Sequence, residues 1–240
     1  MKLGVISDIH SNIFALQKVI SELKKHGVEL IVNAGDNVGY SAFPDECIKI
    51  LQKENVYSAM GNYDDAVANN RLLCGCGEGN ENTQRIRLAS LQWTQANTSA
   101  VNKNFLNTLP GILNMEFEGE KILAMHGGLA ELNEFIYENE IDKFKNIALN
   151  TDADIIIMGH THESFILNLS GKLFINPGSV GKPEDGNPQA SYAVIDLEDY
   201  KADIYRTPYD VEENIKFIKK AGLPDEIIEN LRTGISFTVK

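Results

Sequence analysis

Five apolar runs in this chain each stop at a residue that can hold a cation. Asp8 follows LGVIS, Asp36 follows IVNAG, Asn62 follows YSAMG, His126 follows KILAM and His160 follows DIIIMG. Two of these ends carry a further ligand two positions on, His10 and His162. Only one of the five histidines, His26, lies elsewhere, before Gly27 at the end of an expected surface helix. Imidazole suits a helix carboxyl end, so His26 is given no catalytic role. The seven residues offer only oxygen and imidazole nitrogen, too many for one tetrahedral ion. They suit two ions of borderline character sharing a carboxylate: Mn, Fe, Zn, Co or Ni, whereas Mg favours more oxygen. Two such ions ~3.5–4 Å apart polarise a phosphoryl oxygen and turn a bridging water into hydroxide near neutral pH. A lone Asp or His at a strand end is more often structural. Seven ligand types at five strand ends make that reading improbable for the set.

The elements that must position these residues alternate in the first third. KLGVIS reads as a buried strand, and Asn12 to His26 as a helix with Leu16, Val19, Ile20 and Leu23 at helical spacing. VELIVNAG is a second strand. Pro44 to Glu54 is a helix opened by proline with Asp45 and Glu46 in its first turn, and VYSAMG is a third strand. This βαβαβ order predicts a parallel sheet. Ligands carried on loops at the carboxyl ends of such strands meet in one crevice.

Residues 65–109 contain no convincing strand and read as a helical insertion, with Ile86, Leu88, Leu91 and Trp93 as apolar anchors and Pro110 as the stop. GILNMEFEG and KILAMHGG flank Gly119 as a hairpin. A helix near 139–150 precedes short strands in DIIIMGH, SFILNL, KLFIN, SYAVIDL and YKADIYR, and helices near 210–221 and 224–233 close the chain. The expectation is one domain over residues 1–240, mixed α/β, with an antiparallel second half.

The 240 residues are 43% apolar and 23% charged, ordinary for a globular protein, and the formal net charge is −12. That balance, without Lys/Arg stripes, argues against general nucleic-acid binding. No apolar run approaches the ~18 residues of a membrane span, nor does the amino end read as a signal peptide, so the cytoplasm is expected. Cys47, Cys74 and Cys76 are odd in number and predict no disulfide framework. Cys74-Gly-Cys76 reads either as a thiol near the metals, soft ligand or redox switch, or as a plain Gly loop.

The blocks DIHSN (8–12), GDNVG (35–39), GNYD (61–64), HGG (126–128) and GHTH (159–162) resemble, in order, those of calcineurin-like metallophosphoesterases. NPGSVG (176–181) extends the likeness into the last third, where INPGSVGKPEDGNPQASYAVIDL is similar to a small bacterial and archaeal branch related to the YfcE-type phosphodiesterases. The resemblance implies a four-layer α/β/β/α sandwich with a dinuclear site at one edge. Carried over, one ion takes Asp8, His10, Asp36 and His162. The other takes Asp36, Asn62, His126 and His160, with Asp36 bridging. Asp36, Asn62 and His126 are then the catalytic set, and Asn12, Asn62, Tyr63 and Ser179 the expected substrate contacts, with Asn176 in the same turn as Ser179. Asn12 opens a helix, which by itself favours an anion.

The departure is Tyr63, where much of the family has a histidine that protonates the leaving group or holds the phosphate. A phenol with a pKa near 10 is a poor acid at pH 7, which tilts the expected substrates toward good leaving groups. Asp64 is expected to orient one of the histidines. The insertion 65–109 is expected to overhang the site and set substrate choice. The implied activity is hydrolysis of small phosphate esters by a phosphodiesterase or phosphatase, with nucleotides and dinucleoside polyphosphates as candidate substrates. The alternative is a non-catalytic scaffold like the retromer subunit of this fold, which lacks the full ligand set. Self-association is left open.

Overall fold

The computed structural model describes residues 1–77 and 79–237; Glu78 of the Gly-rich stretch and residues 238–240 of the expected domain lie outside these. The elements run β1 (Lys2–Ile6), α1 (Ile13–Lys25), β2 (Leu30–Asn33), α2 (Pro44–Lys53), β3 (Tyr57–Ser58), α3 (Asn62–Ala68), α4 (Glu81–Asn97), α5 (Ala100–Thr108) and β4 (Ile112–Phe117). They continue β5 (Glu120–Met125), α6 (Ile141–Leu149), β6 (Ile155–Ile157), β7 (Phe165–Leu169), β8 (Lys172–Asn176), β9 (Ala190–Asp196), β10 (Lys201–Thr207), α7 (Val211–Ala221) and α8 (Asp225–Thr233).

Alternation along the strands sorts the chain into four layers. In β1, Leu3 and Val5 face one way, toward Ile122, Ala124, Ile155 and Ile157 of the second sheet, while Ile6 faces Leu16, Val19 and Leu23 of α1. In β6, Ile155 and Ile157 join that inter-sheet core, and Ile156 turns outward to Phe144 and Ile147 of α6. The two five-stranded sheets are ordered β10-β9-β1-β2-β3 and β4-β5-β6-β8-β7. A side cluster joins Ile86, Leu91 and Leu106 of the insertion to Ile215, Ile218, Ile227 and Leu231 of the last two helices.

The expected parallel start is present: β1 pairs with β2, and β2 with β3, both parallel. The second half is not antiparallel throughout. β5, β6 and β8 run parallel, because α6 carries the chain back between β5 and β6 as a crossover needs. Among the described residues the antiparallel strand pairs are β4 with β5, β7 with β8, and β9 with β1 and β10, and an isolated antiparallel bridge joins Asp185 to Ile235. The third strand pairs only at Tyr57 and Ser58, and α3 starts at Asn62 itself, inside what reads from the sequence as a strand end. Leu88 is 39% exposed rather than an anchor. Among the described residues no helix is long and apolar enough to cross a membrane.

Candidate metal centre

The loops that leave β1, β2, β5 and β6 at their carboxyl ends are stitched together by their backbones. Asp8 N donates to Gly35 O at 3.0 Å, His10 N to Asp36 O at 3.0 Å, and Gly159 N to His126 O at 3.0 Å. Asp8, His10, Asp36, His160 and His162 all sit at positive φ, between 47° and 68°. Non-glycine residues rarely adopt that region, and clusters of them mark sites where side-chain aim outweighs backbone comfort. Two glycines make the approach possible. A Cβ on Gly61 would stand 2.1 Å from Asp36 Oδ1, and one on Gly159 would stand 2.0 Å from Ser7 Oγ.

All seven expected ligands are buried and brought together. Each histidine is anchored through one ring nitrogen to a backbone carbonyl. His10 Nδ1 donates to Val38 O at 3.1 Å, His126 Nδ1 to Ala34 O at 2.9 Å and His162 Nδ1 to Lys182 O at 2.6 Å. His160 uses the opposite nitrogen, with Nε2 donating to Asn133 O at 3.1 Å. A carbonyl can only accept, so these bonds fix the tautomers and leave the other nitrogen of each neutral ring as a lone pair. The ring nitrogens not held by carbonyls then converge: His10 Nε2 faces His162 Nε2 at 3.1 Å, and His160 Nδ1 faces His126 Nε2 at 3.1 Å, the latter bearing a proton in the metal-free fold.

The oxygens meet the same point. Asp8 Oδ2 accepts from Ser7 Oγ and His160 N, whereas Asp8 Oδ1 has no aligned donor among the described residues and lies 3.2 Å from His162 Nε2. Asp36 Oδ2 stands 3.4 Å from His126 Nε2 and 3.8 Å from His10 Nε2, between the two histidine pairs. Asn62 Nδ2 donates to Cys74 O at 2.8 Å, which turns Asn62 Oδ1 away, buried and without a partner among the described residues. Two overlapping donor groups result, Asp8–His10–His162 and Asp8–Asp36–His126. Facing lone pairs and orphaned oxygens are costly when buried unless cations join them. The donor set therefore fits divalent ions.

Electrostatics follow from burial. It lowers His10 to about 4 and His160 to about 3, so both rings are neutral near pH 7. Burial also disfavours a charged His126, but Asp36 and Asp8 outweigh it and lift that ring to about 9. The metal-free fold thus holds a proton where a ligand lone pair is needed. His126 stabilises this fold fully below its unfolded value of 6.5, and that contribution is lost as pH rises through about 9. Metal affinity should move the other way, strengthening by about one decade per pH unit between 6.5 and 9 as the competing proton leaves. Titrating the apoprotein with Mn²⁺ at several pH values measures this; a flat profile would contradict it.

The other expected site residues are placed differently. Tyr63 is 1% exposed and lines the cavity, with its ring 5.6 Å from that of His10. Asn12 Oδ1 accepts from Ala15 N as the cap of α1, and its Nδ2 donates to Gly181 O and Tyr209 Oη, so its amide is occupied outside the cavity lining. Ser179 Oγ donates to Asp8 O and accepts from Lys182 N, and Asn176 Nδ2 donates to Gly159 O and Thr161 Oγ1. Asp64 orients no histidine. Its carboxylate accepts from Asn37 N, Asn37 Nδ2 and Gly61 N, tying the loop after β2 to the start of α3, and burial followed by Asp36 lifts it to about 7.

Cys74 and Cys76 form a disulfide, correcting the expectation of none, and Cys47 is a free, buried thiol. The bonded pair stands against the site, with Asn62 Nδ2 3.3 Å from Cys76 Sγ. Of the insertion, Cys76, Gly77 and Arg87 line the cavity. Sequence reasoning missed Lys182 and Glu184, which line it too; their only signal is a charged pair around Pro183 directly after NPGSVG.

The calcineurin-like phosphoesterase superfamily domain matches residues 1–200. The uncharacterised protein MJ0912 of Methanocaldococcus jannaschii is 32% identical over 97% of this chain and 98% of its own length. The crystal structure of a metallophosphoesterase from Sphaerobacter thermophilus superposes with a TM-score of 0.79 at 27% identity, covering 98% of this chain and 100% of that one. The phosphodiesterase MJ0936 of Methanocaldococcus jannaschii is 22% identical over 84% of this chain and 97% of its own length. On the domain match, the paired sheets and the buried Asp/His centre at their edge, the chain belongs to the calcineurin-like phosphoesterase superfamily.

Proposed function

We propose that the protein is a phosphoesterase that works with two divalent transition-metal ions on small phosphodiesters bearing aryl or nucleotidyl leaving groups. The observation that carries this is the convergence of four carbonyl-anchored histidines on Asp8, Asp36 and Asn62, beside a cavity of about 420 Å³ whose wall includes His10, Asp36, Asn62, His160 and His162. Asp8, His10, Asp36 and His162 would hold one ion and Asp36, Asn62, His126 and His160 the other. When bound, the ions supply Lewis acidity to a phosphoryl oxygen and lower the pKa of water.

The chain's own groups set the leaving-group limit. Burial pushes the Tyr63 phenol well above its ordinary value, so it cannot protonate a departing oxygen near neutral pH. A poor leaving group would have to depart as an unprotonated alkoxide, whereas an aryloxide, or a nucleotide released through its phosphate oxygen from a polyphosphate, departs unaided. The cavity is far larger than one phosphate and falls in the range of small-ligand sites. One wall is aromatic: the Phe135 ring centroid lies 4.0 Å from that of His160, and Tyr137 stacks on Phe135 with an interplanar angle of 8°. Such a wall suits an aromatic leaving group.

The test is a panel of aryl mono- and diesters, alkyl monoesters, cyclic nucleotides and dinucleoside polyphosphates with Mn²⁺, run on wild type and Tyr63→His. Aryl or nucleotidyl diesters should turn over fastest, and Tyr63→His should help poor leaving groups more than good ones. Comparable turnover of alkyl monoesters by wild type would sink the leaving-group reading. The scaffold alternative is not favoured, because every expected ligand is present and oriented. A protein that resists loading with Mn²⁺ would revive it.

A further inference from the structure

Lys182 is tied to the metal centre at both ends. Its carbonyl accepts from the ligand His162 at 2.6 Å, and its amide donates to Ser179 Oγ at 2.8 Å. Its side chain is 3% exposed, yet it belongs to the wall of the cavity that holds His10, Asp36, Asn62 and His160. The ammonium pairs with Glu184 and lies over two rings, 4.6 Å from the centroid of Tyr40 and 4.5 Å from that of Phe237. Tyr40 in turn meets the His10 ring edge-on at 4.9 Å. The cavity's other Lys/Arg cation among the described residues, Arg87, donates to Gly77 O of the insertion at 3.1 Å.

A buried ion pair is a poor device for stability alone, since an apolar pair of similar volume often serves as well. Placed in the wall of an anion-binding cavity, it supplies a cation with a flexible stem and three donors. It also shares the cavity wall with Tyr63, which stands in the slot of the family's auxiliary histidine and carries no cationic group. We propose that Lys182 is a substrate-binding residue whose ammonium leaves Glu184 for a non-bridging oxygen of the bound phosphate ester, Glu184 being the counter-ion that holds it in place beforehand. The identity of the anion rests on the phosphoesterase reading.

The two partners then act with opposite sign. Inorganic phosphate binding to the Mn²⁺-loaded protein, followed by calorimetry, is expected to weaken about tenfold in Lys182→Met, the loss of one charge-assisted hydrogen bond. Lys182→Arg should recover most of it. Glu184→Gln should instead tighten phosphate severalfold, because the ammonium no longer has a competing carboxylate. Metal content should stay at wild-type level in all three. A merely structural ion pair would lower thermal stability in both charge-removing variants and leave phosphate affinity unchanged. Unchanged affinity in Lys182→Met, or weaker binding in Glu184→Gln, overturns the assignment, as does a loaded wild type that binds no phosphate. Should Lys182→Met not fold, Glu184→Gln decides alone: tighter binding supports the role, and any other result refutes it. Phosphate binding that depends on Lys182 in a protein without phosphodiester turnover would refute the phosphoesterase reading while sustaining the role of Lys182.

Discussion

Asp36→Asn is expected to lower the metal content of the purified protein from about two ions per chain to less than one. It should reduce kcat/KM by at least about a thousandfold, beyond the 10–100-fold typical of groups that only orient a ligand. Asp36 Oδ2 stands between His126 Nε2 at 3.4 Å and His10 Nε2 at 3.8 Å, so its charge serves both halves of the centre. An amide oxygen is uncharged and cannot bridge two cations as a carboxylate does. The variant should still fold. Asp36 Oδ1 accepts from Tyr63 N at 2.8 Å, a bond an amide oxygen can keep. The variant loses the attraction between Asp36 and a charged His126, but also the cost of burying the carboxylate and its repulsion with Asp8 and Asp64. Its metal-free melting temperature should therefore lie within a few degrees of the metal-free wild type, while Mn²⁺ raises only the latter. Elemental analysis with thermal melts reads both effects. A variant that keeps two ions and wild-type turnover would remove Asp36 from the centre.

The ligands were legible because each ends an apolar run, and the carboxyl ends of neighbouring strands in such sheets deliver their loops to one crevice. Asp8, Asp36, His126 and His160 follow β1, β2, β5 and β6 as the patterns imply. What orients them was not legible. The partners of the four histidines are the carbonyls of Val38, Ala34, Asn133 and Lys182, and a carbonyl leaves no mark in residue type. Asn12 and Ser179 have the right chemistry for substrate contacts, yet tertiary partners such as Gly181 O and Asp8 O use up that chemistry. Lys182 and Glu184 were not singled out from the sequence, because burial of a charge depends on what folds over it, for Lys182 the rings of Tyr40 and Phe237. Strand direction in the second half was misread for a related reason. Short apolar runs such as III carry no sign of direction, and only α6 between β5 and β6 marks that pairing as parallel.

Opening the Cys74–Cys76 disulfide with a dithiol such as dithiothreitol is expected to release one of the two proposed ions and keep the other. The loop closed by this bond touches two of the residues proposed to hold the same ion. Cys74 O accepts from Asn62 Nδ2 at 2.8 Å, which aims Asn62 Oδ1 inward. Gly75 O accepts from Asn133 Nδ2, and the carbonyl of Asn133 itself anchors His160 Nε2 at 3.1 Å. The opposite group, Asp8, His10 and His162, is oriented by Ser7, Val38 and Lys182, none of them in the loop. Reduction gives two thiols and frees the loop carbonyls to move, so Asn62 and His160 lose their aim together. Metal content should fall from about two ions per chain toward one, with kcat/KM down by about 10–100-fold, the cost of losing groups that orient ligands. Cys74→Ser with Cys76→Ser should show the same lowered values and no response to dithiothreitol. Cys47, buried in α2 away from these contacts, should not report on the change. Undiminished metal content and turnover, in protein shown by thiol titration to be reduced, would mean that the loop holds its carbonyls in place without the bond.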